Sequence, residues 1–278
     1  MCGSIKVMKY FVVLDFEATC DEENAPSPQE IIEFPSVLVD AESLQIVDEF
    51  REYVKPLHHP QLRAFCTELT GIEQHQVENA GSFPEVFKRH QEWLLSHNLS
   101  LSESLDEITW AFVSCGDWDL GTMLPVQEGA CNTKLNTPTC YTRWINIKVP
   151  YGDIMGEKAY GMVGMLKGLN LTLDGRHHSG LDDSRNIAKI LIALYKKQAI
   201  DKITGKRALS RYPVITLKVS FKGETKDVVL RKRSLKTLLG VCGGSFKTQI
   251  KIVSLSSGIR LVSDDDLRSL EDNTEIIA

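Results

Sequence analysis

Along the first two hundred positions, apolar residues follow two rhythms. Tyr10–Leu14 is a short β-rich apolar run that stops at Asp15, and it predicts a buried strand. Pro35–Asp40 and Glu49–Val54 predict two more strands, with a turn between them near residues 40–43. Thr109–Ser114 predicts another, ending at a Cys-Gly-Asp-Trp-Asp run. Helical spacing appears in Phe83–Ser96, where Val86, Phe87, Trp93, Leu94 and Leu95 follow Pro84, and again in Met162–Leu169. It is clearest in Asp183–Tyr195, where Ile187, Ile190, Leu191 and Leu194 recur at i, i+3, i+4 and i+7. Strands first and helices later, with some alternation, predict an α/β domain over residues 1–200 built on a mixed sheet covered by helices.

A polar, basic stretch at 201–212 reads as a linker. Beyond it Ile215–Phe221 alternates apolar and polar residues, Gly223 turns the chain, and Asp227–Arg231 pairs back as a hairpin. Ser234–Leu239 predicts a helix, Gln249–Leu255 and Ile259–Val262 a second hairpin, and Glu275–Ile277 a closing strand. This order predicts a small α+β domain over 213–278, like a ubiquitin-type β-grasp, that folds alone.

Composition narrows the compartment. Of 278 residues, 42% are hydrophobic and 25% charged, which suits a soluble globular chain. The longest apolar runs are far shorter than the ~18 residues of a membrane span, so no membrane partner is expected. Seven cysteines with no CxxC pair read as reduced thiols of a cytoplasmic or nuclear protein, in place of a disulfide frame or a zinc site.

Charge changes the picture further. The net charge of −5 hides 15 Lys/Arg against 9 Asp/Glu beyond residue 200, and 17 against 28 before it. An acidic body excludes holding nucleic acid by bulk attraction. It leaves a local site at which cations offset carboxylates.

Three clusters offer such a site. Asp15-Phe16-Glu17 ends the first strand, and alternation along a strand puts residues i and i+2 on one face, where both carboxylates meet one metal pair. The run Ser114–Leu120 holds Asp117 and Asp119, with Trp118 between them suited to core packing or to stacking on a base. The run His177–Asn186 leads into the last predicted helix, with His178 five residues before Asp183. Each cluster alone has an ordinary reading, as edge-strand polarity, helix capping or a loop histidine. Together they form an ordered set.

That set is DFEATCD from Asp15, QEIIEFP at 29–35, ELTGI at 68–72, CGDWDL at 115–120, WIN at 144–146 and GRHHSGLDDSRNIAKI at 175–190. Over about residues 8–197 it resembles the DEDDh group of 3′→5′ exonucleases, within it the branch of enhancer-of-RNA-interference exonucleases and their prion-interacting relatives. The resemblance implies an RNase H-like fold, a mixed sheet with helices on both faces. It implies that Asp15, Glu17, Asp119 and Asp183 hold two Mg²⁺ ions, with Mn²⁺ able to substitute. His178 is implied as the general base, and Glu17 belongs to the catalytic set with it. Phe16, Phe65, Leu69 and Trp118 are implied at the terminal nucleotide. Asp119 is preferred to Asp117 because relatives place an aromatic residue just before the metal-binding aspartate. His178 is preferred to His177 because the family histidine precedes its aspartate by five. The implied substrate is RNA with a free 3′ end, released as 5′-mononucleotides.

Two departures stand out. No SAP-type nucleic-acid-binding segment is expected ahead of the catalytic domain, and residues beyond 205 match nothing in that branch. A DNA exonuclease with the same catalytic set, or an inactive adaptor built on the fold, is the alternative. The cluster Arg231, Lys232, Arg233 and Lys236 suits either holding the RNA body or simple solvation, and the C-terminal domain is also a candidate protein-binding module.

Overall fold

The apolar run ahead of Asp15 becomes β1 (Tyr10–Val13), the central strand of the first sheet in the computed structural model. Residues 8–24, 26–102, 108–131, 133, 135–207, 215–230, 235–263, 266–267, 270 and 274–278 are described. The chain divides into two compact units, Met1–Leu209 and Ser210–Ala278.

In the first unit, β1 is followed by β2 (Glu17–Ala18), β3 (Ile31–Asp40) and β4 (Gln45–Lys55). Then come α1 (Ala64–Thr70), α2 (Gln74–Glu78), β5 (Gly81–Ser82), α3 (Phe83–Ser96) and β6 (Trp110–Ser114). A π-helical turn at Asp119–Met123 runs into α4 (Leu124–Ala130). The unit continues with β7 (Arg143–Asn146), α5 (Lys148–Met155), α6 (Gly161–Gly168), α7 (Gly180–Tyr195) and β8 (Gly205–Lys206). The sheet order is β5-β4-β3-β1-β6-β7-β8, with β2 added to β3. β1 pairs antiparallel with β3 and parallel with β6, so the expected mixed sheet is present.

Alternation along the central strands divides their side chains between two cores. Phe11 and Val13 of β1 join Val37, Val113, Ile187, Ile190, Leu191 and Leu194 on one face. Val12 and Leu14 join Phe34, Phe87, Leu94 and Phe112 on the other. Helices therefore cover both faces, and α7 buries the apolar stripe that its i, i+3, i+4, i+7 spacing predicted.

The stretch 201–212, expected as a linker, is corrected in its first half. Thr204 donates its amide to Trp144 O at 3.0 Å, and Arg207 donates to Thr142 O at 2.8 Å, flanking the β7–β8 pairing. The Arg207 guanidinium forms a two-point ion pair with Glu128 at 2.6 and 3.1 Å, both side chains largely buried. Hydrogen bonding at the open edge of β7 recruits these residues despite their polar composition.

The second unit has β9 (Ile215–Phe221), β10 (Glu224–Leu230), α8 (Leu235–Ser245), β11 (Val253–Leu255), β12 (Arg260–Leu261) and β13 (Glu275–Ile277). Its sheet order is β10-β9-β13-β11-β12, and β9 runs parallel to β13. Leu217, Val219, Leu238, Cys242, Val253, Leu261 and Ile276 form its own core. Arg231, Lys232 and Arg233 lie outside the described residues, while Lys236 is exposed on α8.

A chain ending at Leu209 should keep the melting temperature of the first unit. One ending at residue 203 should lose about 1–3 kcal/mol with β8 and the Arg207–Glu128 pair, lowering Tm by several degrees at roughly 2–4 °C per kcal/mol. Differential scanning calorimetry of the two truncations checks this, and equal melting temperatures would leave β8 without a structural role.

Candidate active site

Because β1 and β6 are parallel neighbours, the residues just past Val13 and just past Ser114 emerge at the same sheet edge. Asp15 sits in a break, since Leu14–Phe16 leave the strand and Glu17 re-enters it in β2, opposite Glu33 with a register shift. The two carboxylates thus meet through a strand break, which corrects the expected alternation along one strand. Asp15, Glu17 and Asp183 each bring a carboxylate oxygen to within 4.8 Å of the others.

Asp183 arrives in the first turn of α7, and the helix can approach only because its first residue is Gly180. A Cβ there would lie 2.7 Å from the Asp15 carbonyl oxygen and 3.1 Å from a Glu33 carboxylate oxygen. Gly180 instead donates its amide to Glu33 at 3.1 Å.

Asp119 opens the π-helical turn and is 3% exposed. Its Oδ1 accepts the backbone N–H of Phe16 at 2.9 Å, so the second motif is fastened to the first between Asp15 and Glu17. Asp117 faces elsewhere. Its Oδ1 accepts the indole N–H of Trp144 at 2.8 Å, a bracket between the turn and β7.

In the third motif, the backbone N–H of His178 donates to Asp183 Oδ2 at 2.9 Å, with His178 in the left-handed region at φ 66°. His177 Nδ1 lies 3.0 Å from the same oxygen, and the two imidazoles stack at 3.9 Å and 13°. Both histidines and Asp183 can present ligand atoms within 4.8 Å of one another. Just before them, Arg176 donates to the carbonyls of Glu68 and Leu69, clasping the end of α1 to the histidine loop.

The electrostatics follow from crowding. Burial, then the charges of Asp119, Glu17, Asp183 and Glu33, hold the Asp15 carboxyl well above the usual range. Burial, then Glu33, pushes Glu17 up to about 9. Burial lifts Asp119 to about 6 although the Phe16 N–H and the Lys148 ammonium favour its charged form. Burial, with His177 beside it, lowers His178 below 6.5, against the opposing pull of Asp183.

One sequence reading changes, and one neighbour of the site is new. The ring of Phe16, expected at the nucleotide, is 4% exposed and meets Phe34 edge-on at 4.7 Å, so it belongs to the core and only its backbone serves the site. Glu33 was not singled out. It is fully buried beside Glu17 and accepts the Arg51 Nε–H at 2.6 Å. A glutamate inside the apolar run Ile31–Phe34 was the available signal. Trp118, flanked in the chain by Asp117 and Asp119, is 41% exposed, and Phe65 and Leu69 are half-buried on α1.

Residues 12–191 match the family model described as Exonuclease. The chain is 45% identical over 200 residues to ERI1 exoribonuclease 3 of Mus musculus, covering 71% of this chain and 57% of that protein. It thus spans little more than half the length of that curated relative. The nuclease domain of 3′hExo, a DEDDh family member bound to rAMP, superposes with a TM-score of 0.66 at 36% identity over 72% of this chain and 98% of that one. A 3′-exonuclease in 3′-end specific recognition of the histone mRNA stem-loop is similar at a TM-score of 0.66 and 32% identity, over 80% of this chain and 91% of that one. The resemblance read from the motifs therefore holds.

Replacing Asp119 with Asn should reduce nuclease turnover by more than about a hundredfold if it holds a metal ion. Asp117→Asn should act through the Trp144 hydrogen bond alone, costing about 0.5–1.5 kcal/mol of stability. Turnover and urea midpoints of both variants check this, and the reverse ranking of turnover would move the metal-binding residue to Asp117.

Proposed function

The chain belongs to the exonuclease family, and from that premise we propose that it is a 3′→5′ exoribonuclease that uses Mg²⁺, or Mn²⁺ in its place, to release 5′-mononucleotides from RNA 3′ ends. The observation that carries this reading is the convergence of Asp15, Glu17 and Asp183 with two histidines at the edge where Asp119 is fastened to Phe16.

The donor set fits a hard divalent cation. Four carboxylates offer the oxygen ligands that magnesium takes, and the raised Asp15 and Glu17 carboxyls mark a cluster lacking a counter-charge of its own. Asp15, Glu17, Asp119 and Asp183 would hold the ions. Bound there, divalent cations acidify water and stabilise a leaving oxygen.

The remaining work falls to this chain's side chains. His178 takes the proton of the attacking water at its imidazole, and a value below 6.5 keeps that ring neutral, as a base, at pH 7. His177 stacks on it and is engaged with Asp183, which fits an orienting part. Trp118, Phe65 and Leu69 offer the apolar surface for the terminal base. The 2′-hydroxyl separates RNA from DNA at such a site, and the relatives named exoribonucleases, with the rAMP-bound neighbour, favour RNA.

The order β10-β9-β13-β11-β12 with α8 supports a β-grasp-like reading of the second unit, suited to a protein partner. Among the described residues no helix is long and apolar enough to cross a membrane. A reducing cytoplasm or nucleus fits the free thiols.

His178→Ala should lower turnover by about 10²–10⁴-fold with Mg²⁺ present, and His177→Ala by much less. EDTA should abolish activity on a labelled RNA oligomer, and Mn²⁺ should restore it. Equal losses in the two histidine variants would remove His178 from its role as base. Faster cleavage of the matched DNA oligomer would reassign the substrate.

A further inference from the structure

Two thiols outside the metal set meet beside it. Cys20 lies where the chain leaves β2, three residues past Glu17, and Cys66 lies in α1 directly after Phe65. Cys20 packs against the small cluster that holds Cys66, near enough for its thiol to act on the Cys66 sulfur. The Cys66 thiol also points at Ala18 O, 3.8 Å away in β2. Cys66 is fully buried in a small apolar cluster with Ile32, Ile72 and Val77, against which the partly exposed Cys20 packs. Both cysteines line an open cavity of about 510 Å³ shared with His58, His59 and Leu62. A small oxidant therefore has access to a pre-formed thiol pair. The neighbouring Cys20 thiol also lowers Cys66 to about 7, which raises its thiolate fraction near neutral pH.

We propose that Cys20 and Cys66 are a modification site, forming a reversible intramolecular disulfide on two-electron oxidation by hydrogen peroxide, and that this bond slows the nuclease. In the first step the Cys66 thiolate attacks one peroxide oxygen. The O–O bond breaks, a sulfenic acid forms, and hydroxide leaves with the thiol proton as water. In the second step the Cys20 sulfur attacks the Cys66 sulfur, the S–O bond breaks, and a second water leaves with the Cys20 proton. Two thiols are oxidised, one peroxide is reduced, and a dithiol reductant reverses the bond by exchange.

The bond would tie the segment just past Glu17 to the helix that carries Phe65 and Leu69. α1 is also the helix clasped by Arg176 of the histidine loop, so a fixed α1 constrains the site from two sides. The effect on activity rests on the exonuclease reading, whereas formation of the bond does not.

The test uses the full chain, purified reduced, treated with hydrogen peroxide and then catalase. Peptide mass spectrometry should find Cys20 linked to Cys66. Turnover of a 3′-labelled RNA should fall by about tenfold or more, as a misplacement of well under 1 Å at a positioning element can produce, and dithiothreitol should restore it. Cys20→Ser, with Cys20→Ala as a second variant, should form no link and keep its turnover after peroxide. Absence of the linked peptide in the wild type overturns the site. A linked peptide with unchanged turnover overturns its control of the nuclease, as does equal peroxide loss in the Cys20 variants. A reduced chain with no 3′ nuclease activity defeats the exonuclease reading instead, and leaves the peptide result standing.

Discussion

Like charges in a shared, poorly hydrated space repel, and at the edge formed by β1, β2 and α7 this protein gathers Asp15, Glu17, Glu33, Asp119 and Asp183. At an effective dielectric of about 20, two carboxylates 4 Å apart cost about 4 kcal/mol. The chain lowers that cost in specific ways. Arg51 neutralises Glu33, the Phe16 amide donates to Asp119, and the His178 amide donates to Asp183. Asp15 and Glu17 keep raised carboxyls all the same. The neighbouring elements tolerate the strain because two apolar cores hold the sheet from both faces. The family to which the chain belongs depends on divalent metal, and under the proposed function such an ion would complete the balance.

Much of the surrounding structure makes sense as a means to that convergence. Parallel pairing of β1 with β6 delivers the first and second motifs to one edge. Gly180 lets α7 deliver the third, since any side chain there would collide with the Asp15 backbone. Trp144 holds Asp117 on one side of the π-helical turn, which turns Asp119 inward on the other. Such turns recur at functional sites because the extra residue re-aims a side chain without ending the helix.

The sequence made the candidate site legible because its motifs are tied to short spacings: Glu17 stands two positions after Asp15, and Asp183 five positions after His178. Helix α7 was legible for a related reason, a clean apolar period. What stayed hidden was set by tertiary contact. The break that separates Asp15 from β2 depends on pairing with β3, which no local pattern announces. Phe16 was read from its position in the motif, while its ring follows the core rule for a large aromatic residue beside a central strand. Residues 204–207 looked like linker by composition, and the free edge of β7 overrode that. Glu33 offered only its place inside an apolar run, and the Cys20–Cys66 pair joins distant segments, so neither cysteine carries a signal on its own.

The central claim is that crowded carboxylates cost the metal-free protein stability and that a divalent cation removes the cost. Glu17 has a folded value of about 9 against an ordinary 4.5. A raised folded value means that its share of stability is present below pH 4.5 and is lost as pH rises toward 9. Melting temperature measured from pH 5 to 9 in EDTA should therefore fall with rising pH, and saturating Mg²⁺ should flatten that fall by binding the folded state. A metal-free profile that is flat or rising over this range, with no shift on adding Mg²⁺, would contradict the account.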